Sequence, residues 1–509
     1  MKAAAFFTDH MIFQQDKDIV VWGEGSDGEE VTVFFNGESA KGTVKDGEWE
    51  VRLAPVPAGT YEELVIECGS EKIVIKDIAV GEVWLASGQS NMEFLYKYDE
   101  ERIPDEMIEE DDLLRFYDVP EACSVEQEKL GHFENYGFWR RWKDTDAKWF
   151  SAVGAYFGAK LRKELNVPVG IIGINWGGCN AIGWTSPERA AEHPELMEIV
   201  REYEEFVKTL DMDEYNAAND EAAAKDPAEG QHFMDMFMMG RDMSDHFKEM
   251  FANPDPETQK KSMLTMAVGP KNYRRPFGLY EFMLKKVRRA QVAGALWYQG
   301  EEDEIKRSEF YDISLGAVID TFRDNFGKDM PFLAVQLPPF EGNFFALARK
   351  YPVIREKIEK VADTVPNVWC SCSTDCGHRT NIHPRNKRPV GERLGLLALK
   401  HVYGKDIEAD SPRLVKSERF GGKVVLTFSH AKSGLCFKGT ELKAFDVFAE
   451  EYHVLPDVTV KGDQIVIEDS AIASAEEITV KYARDNYSEP NLYAGNGLPV
   501  FPFECTLKK

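Results

Sequence analysis

The sequence predicts an α/β protein, a parallel sheet with helices on both faces, preceded and followed by β-rich domains. Three observations carry this. Short apolar runs alternate with helical stretches from about residue 81 to 405, the pattern of strands joined by crossover helices. Residues 1–80 carry strand and hairpin signals, and so do the last hundred or so. The reading therefore gives a β-sandwich-like domain over 1–80, an α/β domain over 81–405 and a β-domain over 406–509.

The N-terminal domain is read from β-branched and aromatic runs such as Val20-Val21-Trp22-Gly23 and Val31-Thr32-Val33-Phe34-Phe35. Asn36-Gly37 and Asp46-Gly47 are hairpin turn signals. Trp49-Glu50-Val51-Arg52-Leu53 alternates as a half-buried strand does. In the middle region the buried-strand candidates are 169–174, 294–298 and 332–336, with helical stretches at 151–165, 279–290 and 308–326. Residues 187–275 interrupt this alternation. They are acidic, helix-prone and rich in methionine (Met234, Met236, Met238, Met239, Met243, Met250). A methionine cluster reads as plastic core or contact surface, so the segment is a helical insertion beside a cleft or a homo-oligomer contact. Strands return at Lys423–Phe428 and Gln464–Ile467, with turns at Gly421-Gly422 and Gly462-Asp463.

Composition narrows the function. The 509 residues are 43% hydrophobic and 29% charged, ordinary for a globular protein. A net charge of −27 argues against nucleic acid and against anionic membrane surfaces. No window approaches the ~18 uninterrupted apolar residues of a membrane-spanning helix. The N-terminal apolar stretch is too short for a signal peptide, and the eight cysteines form no disulfide-like framework. A reducing cytoplasm is the expected location, or a secreted one if a signal has been removed.

Four constellations can carry chemistry. The run Ile78–Ala86 stops at Gly88-Gln89-Ser90-Asn91-Met92, a strand ending in a tight turn. That turn holds Ser90 at the carboxyl edge of a sheet, where ligands bind in open α/β folds. The bland alternative is a turn and N-cap. Asn175-Trp176-Gly177-Gly178 follows the 169–174 strand, and a glycine pair there can present N–H groups to a ligand. Gln299, in Trp297-Tyr298-Gln299-Gly300-Glu301, can donate a side-chain N–H at the sheet mouth. His383 lies in a polar loop, before a helical stretch over 387–403, where a general base can sit. Cys370, Cys372, Cys376 and His378 are four potential ligands within nine residues, but their spacing is not a common zinc pattern. No metal is expected.

In this order the blocks resemble the sialate O-acetylesterase-like carbohydrate esterases of the SGNH/GDSL hydrolase superfamily, over nearly the whole chain. Besides the four above, the resemblance rests on Phe7–Gln14, Phe150-Ser151-Ala152-Val153-Gly154, Val167–Gly170 and Trp184. It extends to Ile382-His383-Pro384 with Lys387 and Val390–Leu394, and to Asn491–Tyr493, Gly497–Pro499 and Pro502-Phe503. It implies a flavodoxin-like three-layer α/β/α domain. It also implies removal of O-acetyl groups from a sugar, with no metal or organic cofactor. Ser90 is then the nucleophile and His383 its base. The Ser90 N–H, an N–H of Gly177 or Gly178, and the Gln299 side chain would form the oxyanion hole. Asn91, Trp176, Trp184 and Glu301 would line the sugar site. Many SGNH hydrolases place an aspartate three residues before the histidine, where this chain has Thr380. Asp375 is the nearest acid that aligns; it can orient His383 or cap the loop, and a backbone carbonyl can also do the orienting. The rival readings are a non-catalytic carbohydrate-binding protein on this scaffold, and a lipase or thioesterase. Intact Ser90, Gln299 and His383 argue against the first, and tryptophans in the cleft blocks against the second.

Overall fold

A computed structural model describes residues 1–100, 111–130, 136–143, 147–224, 235–240, 255–343 and 347–509. At its centre is a path of seven neighbouring strands within an 11-stranded sheet: β1 (Glu71–Gly88), β2 (Leu114–Asp118), β3 (Trp139–Arg141), β4 (Val169–Asn175), β5 (Gly294–Tyr298), β6 (Phe332–Val335) and β7 (Val368–Ser371). Their spatial order is β3-β2-β4-β1-β5-β6-β7. All neighbours are parallel except the edge pair β2–β3. From β4 to β7 the order is that of a flavodoxin-like sheet, which switches direction beside its first strand. Strands β4, β5 and β6 match the three buried-strand runs legible in the sequence, being buried on both faces and hence continuously apolar.

Five helices matter to the site: α1 (Ser90–Glu93), α2 (Ala152–Leu165), α3 (Tyr311–Phe326), α4 (Tyr351–Thr364) and α5 (Arg388–His401). Side chains alternate across the sheet, and that alternation sorts the helices. Trp84 packs edge-on to Phe157 of α2, and Trp369, on the same face by register, stacks on His401 of α5. Trp297, paired with Ser87 and so on the opposite face, meets Phe322 of α3. Helices α2 and α5 approach closely because Gly391 lies against Tyr156 and Val153, where any side chain would collide.

β1 is unusually long at 18 residues. Its first half pairs antiparallel with Gly59–Cys68, in the N-terminal β-region, and its second half pairs parallel with β4 and β5. The strand runs without a break through residues 80 and 81, where the sequence reading changes domain. One large hydrophobic core among the described residues extends from Phe6 to Ala409 and takes in Phe501, because both halves of β1 bury side chains into it. The Asn36-Gly37 turn joins an antiparallel hairpin with both residues at positive φ, as the dipeptide requires. The C-terminal region has its own core, from Val424 to Leu507, under two four-stranded sheets. The buried Arg355 of α4 ties it down by donating to the carbonyls of Leu337, Asp485 and Asn486.

In the 187–275 segment the described helices include Pro194–Val207, Met212–Ala223 and Pro256–Met266. Met234, Met243 and Met250 lie outside the described residues. Met238 is buried and lines the main cleft beside Phe237.

Candidate active site

The cleft, of about 1120 Å³, opens at the carboxyl ends of the parallel strands, with Ser90, Trp176, Gly177, Gly178, Glu301 and His383 among its lining. Ser90 begins the short helix α1 directly after β1. Gly88 permits this turn: its φ is +139°, and a Cβ there would fall 2.2 Å from the Tyr298 carbonyl oxygen. The chain can therefore cross tightly over β5 and present the serine at the sheet edge.

His383 arrives from the loop after β7. Its Nε2 lies 2.8 Å from Ser90 Oγ, although 293 residues separate them in sequence. The loop is pinned on both sides. Asn381 Oδ1 accepts from the His383 N–H at 3.0 Å, and Asn91 Nδ2 donates to the Ile382 carbonyl at 3.1 Å. The histidine is 3% exposed, and Phe237 meets its ring edge-on at 5.1 Å. Burial, helped by the nearby Lys387 charge, pushes His383 down to about 3. At neutral pH the ring is uncharged and can accept a proton. Lys387 is itself buried and pushed down to about 7; its Nζ donates to Asn91 Oδ1.

Asp375 is not brought to His383. Its two carboxylate oxygens accept from Nη1 and Nη2 of Arg393 on α5, both at 2.7 Å. That ion pair holds the acid below its usual range despite burial. The fork of a guanidinium matches a carboxylate better than an imidazole does, and α5 places Arg393 beside the loop. Among the described residues nothing hydrogen-bonds His383 Nδ1.

Gln299 is also elsewhere than expected. It is fully buried below the cleft. Its amide donates to the Cys179 carbonyl at 3.2 Å and to Asp303 Oδ2 at 2.7 Å, while its Oε1 accepts from Tyr311. Both amide hydrogens are thus used, and none points at Ser90. Asp303 in turn accepts from the Ala181 N–H at 2.9 Å, so Gln299 holds the loop that carries Gly177 and Gly178. Gly177 backs directly onto the serine: a Cβ there would lie 3.4 Å from Ser90 Cβ and 3.0 Å from Glu93 Oε2.

The expected sugar-site residues divide in two. Trp176 lines the cleft and stacks on Tyr273 at 5.1 Å, 20° between planes. Glu301 lines it too, accepting from Asn91 Nδ2 at 2.6 Å, and burial raises its carboxyl. Asn91 is fully buried and braces the loop rather than facing the cleft. Trp184 is likewise fully buried, with its Nε1 donating to Cys179 Sγ at 3.1 Å. Cys370, Cys372 and Cys376 are buried, with their thiols pushed up by burial. His378 Nδ1 accepts from the Thr380 and Asn381 amides. Among the described residues no three His, Cys, Asp or Glu side chains are grouped as a metal site requires.

Sequence reasoning passed over a second group of acids. Glu93 and Glu121, both half-buried, line the cleft on the Gly177 side. Burial pushes Glu93 up to about 7, the Gly177 amide opposing it. Glu121 is raised by burial and by the charges of Glu93 and Asp118. Asp118, at the end of β2, is raised to about 7 by burial, although Arg140 sits 2.7 Å away. Glu93 carried a signal, three residues after Ser90 and so on the same side of a helical turn; Glu121 carried none.

Residues 212–397 match a family model described as carbohydrate esterase, sialic acid-specific acetylesterase. Sialate O-acetylesterase of Homo sapiens is 24% identical over 483 residues, covering 84% of this chain and 76% of the human protein. That of Rattus norvegicus is 23% identical over 475 residues, covering 84% and 78%. Among solved structures, a carbohydrate acetylesterase from Xanthomonas citri superposes with a TM-score of 0.75 at 25% identity, covering 99% of each chain.

Proposed function

We propose that this chain, which belongs to the sialate O-acetylesterase-like carbohydrate esterases, removes O-acetyl groups from sugars through an acetyl-enzyme on Ser90. The observation that carries the reading is the 2.8 Å contact between Ser90 Oγ and His383 Nε2. Neutral His383 takes the Ser90 proton as Oγ attacks the acetyl carbonyl. The developing oxyanion is met by the Ser90 N–H and by the Gly178 N–H, the Gly177 amide being turned to Glu93. His383 then returns the proton to the departing sugar oxygen. A water molecule, deprotonated by the same nitrogen, cleaves the acetyl-serine and releases acetate.

Asp375 is committed to Arg393, so we read the machinery as a Ser–His dyad. The backbone bonds at Asn381 and Ile382 set the position of the imidazole in place of an acid. Gln299 acts through the loop it holds and is a positioning residue. The Trp176–Tyr273 stack suits the apolar face of a sugar ring. Acetate release from acetylated sugars tests the activity, and Ser90→Ala must abolish it while leaving the circular dichroism spectrum unchanged.

A further inference from the structure

Resting on the esterase reading above, we infer that Arg274 is a positioning residue of the oxyanion hole: by holding the Gly178 carbonyl it keeps the Gly178 N–H available to the oxyanion. Trp176 to Cys179 form a β-turn, closed by the Cys179 N–H donating to the Trp176 carbonyl at 3.4 Å. Gly178 is the third residue of the turn, with φ +70°, the type II arrangement that favours glycine there. The peptide between the two glycines is the weak point of such a turn. A half-rotation of that peptide converts type II to type I and reverses the Gly178 N–H. Neither glycine has a side chain to resist it. Among the described residues the N–H groups of Gly178 and Ser90 have no hydrogen-bond partner, so both are free to meet a ligand.

Two contacts lock the turn, one on each side of that peptide. Before it, the Gly177 N–H donates to Glu93, on the nucleophile's own helix. After it, Arg274 Nε donates to the Gly178 carbonyl at 2.9 Å. Arg274 is itself fixed. Glu302 Oε1 lies 3.1 Å from the same nitrogen. The Arg274 N–H donates to Asn272 Oδ1, and its carbonyl accepts from Asn180 Nδ2, both at 2.9 Å. Tyr273, its neighbour in the chain, stacks on Trp176 at the start of the turn. A Cβ on Gly178 would lie 3.0 Å from Tyr273 Oη and 3.2 Å from Arg274 Nη2, so this segment closes directly over the turn.

The test is Arg274→Met in the full chain, which keeps an unbranched side chain beside Tyr273 but has no N–H to donate. The probe is 4-nitrophenyl acetate, which carries no anion for a guanidinium to bind. Titration with a 4-nitrophenyl phosphonate ester counts the competent Ser90, so kcat is expressed per active serine and any loss of folded protein cancels. The expected result is a kcat lower by about tenfold to a hundredfold, with KM within about threefold of the unaltered chain. Arg274→Lys keeps the charge but not the Nε donor. It should lose at least about threefold in kcat in the same way, and it carries the test if the methionine variant does not fold. An unchanged kcat per active serine, or a loss carried by KM alone, overturns the inference and makes Arg274 a substrate contact. If the unaltered chain turns over neither aryl acetate nor any acetylated sugar, the esterase reading itself fails.

Discussion

The two sides of Ser90 are built from opposite ionisable groups, and burial drives both toward neutrality. On one side His383 sits under Phe237, its imidazole pushed down to about 3. On the other Glu93 is pushed up to about 7, with Glu121 raised beside it. Removing water penalises whichever form carries charge, so a base loses its proton and an acid keeps its own. The histidine side is thereby left able to take a proton from serine. The carboxyl side is left able to exchange hydrogen bonds with hydroxyls.

Substitutions at the serine break this division most severely. Ser90→Ala or His383→Ala should lower kcat for 4-nitrophenyl acetate by at least about 10⁴-fold, checked by steady-state kinetics on folded protein. A loss below about tenfold would remove the histidine side from the chemistry. Asn91→Ala unties the nucleophile's helix from the Ile382 carbonyl. It should cost about tenfold to a hundredfold, in kcat rather than KM; a pure KM effect would place Asn91 in binding instead.

Asp375→Asn sharpens the contrast between position and chemistry. It should change kcat less than about threefold, yet lower stability by about 3–5 kcal/mol in urea unfolding, by stranding the buried Arg393. A rate loss of orders of magnitude would restore Asp375 to a triad.

The smallest effect is the pH profile. His383 is depressed, so its neutral, proton-accepting form persists as pH falls and is lost only near pH 3. The acid limb of kcat/KM for 4-nitrophenyl acetate should therefore lie well below the ordinary histidine value of about 6.5. A limb at 6–7 assigned to His383 by NMR titration would contradict the burial argument.

What was legible in the sequence follows the same physics. The strands of the parallel sheet could be read because both faces are buried, which forces continuous apolar runs. Ser90 could be read because a strand, a glycine and a short turn fix its direction locally. Asp375 and Gln299 were misplaced because loop side chains are claimed by tertiary neighbours, here Arg393 from α5 and the Cys179–Asp303 pair. Strand β2 and the edge strand β3 beside it were missed: one follows the acidic run ending at Asp112, the other is three residues long. The position of residue 80 inside an unbroken strand was hidden because both halves of β1 look alike in composition.

The most direct measurement of the central claim is covalent trapping. Intact-protein mass spectrometry after treatment with a 4-nitrophenyl phosphonate ester should show a single adduct, mapped by peptide sequencing to Ser90. Loss of acetate release should run in step with labelling, and Ser90→Ala should take up no label. Stoichiometric labelling at another residue, or acetate release that survives complete modification of Ser90, would contradict the account.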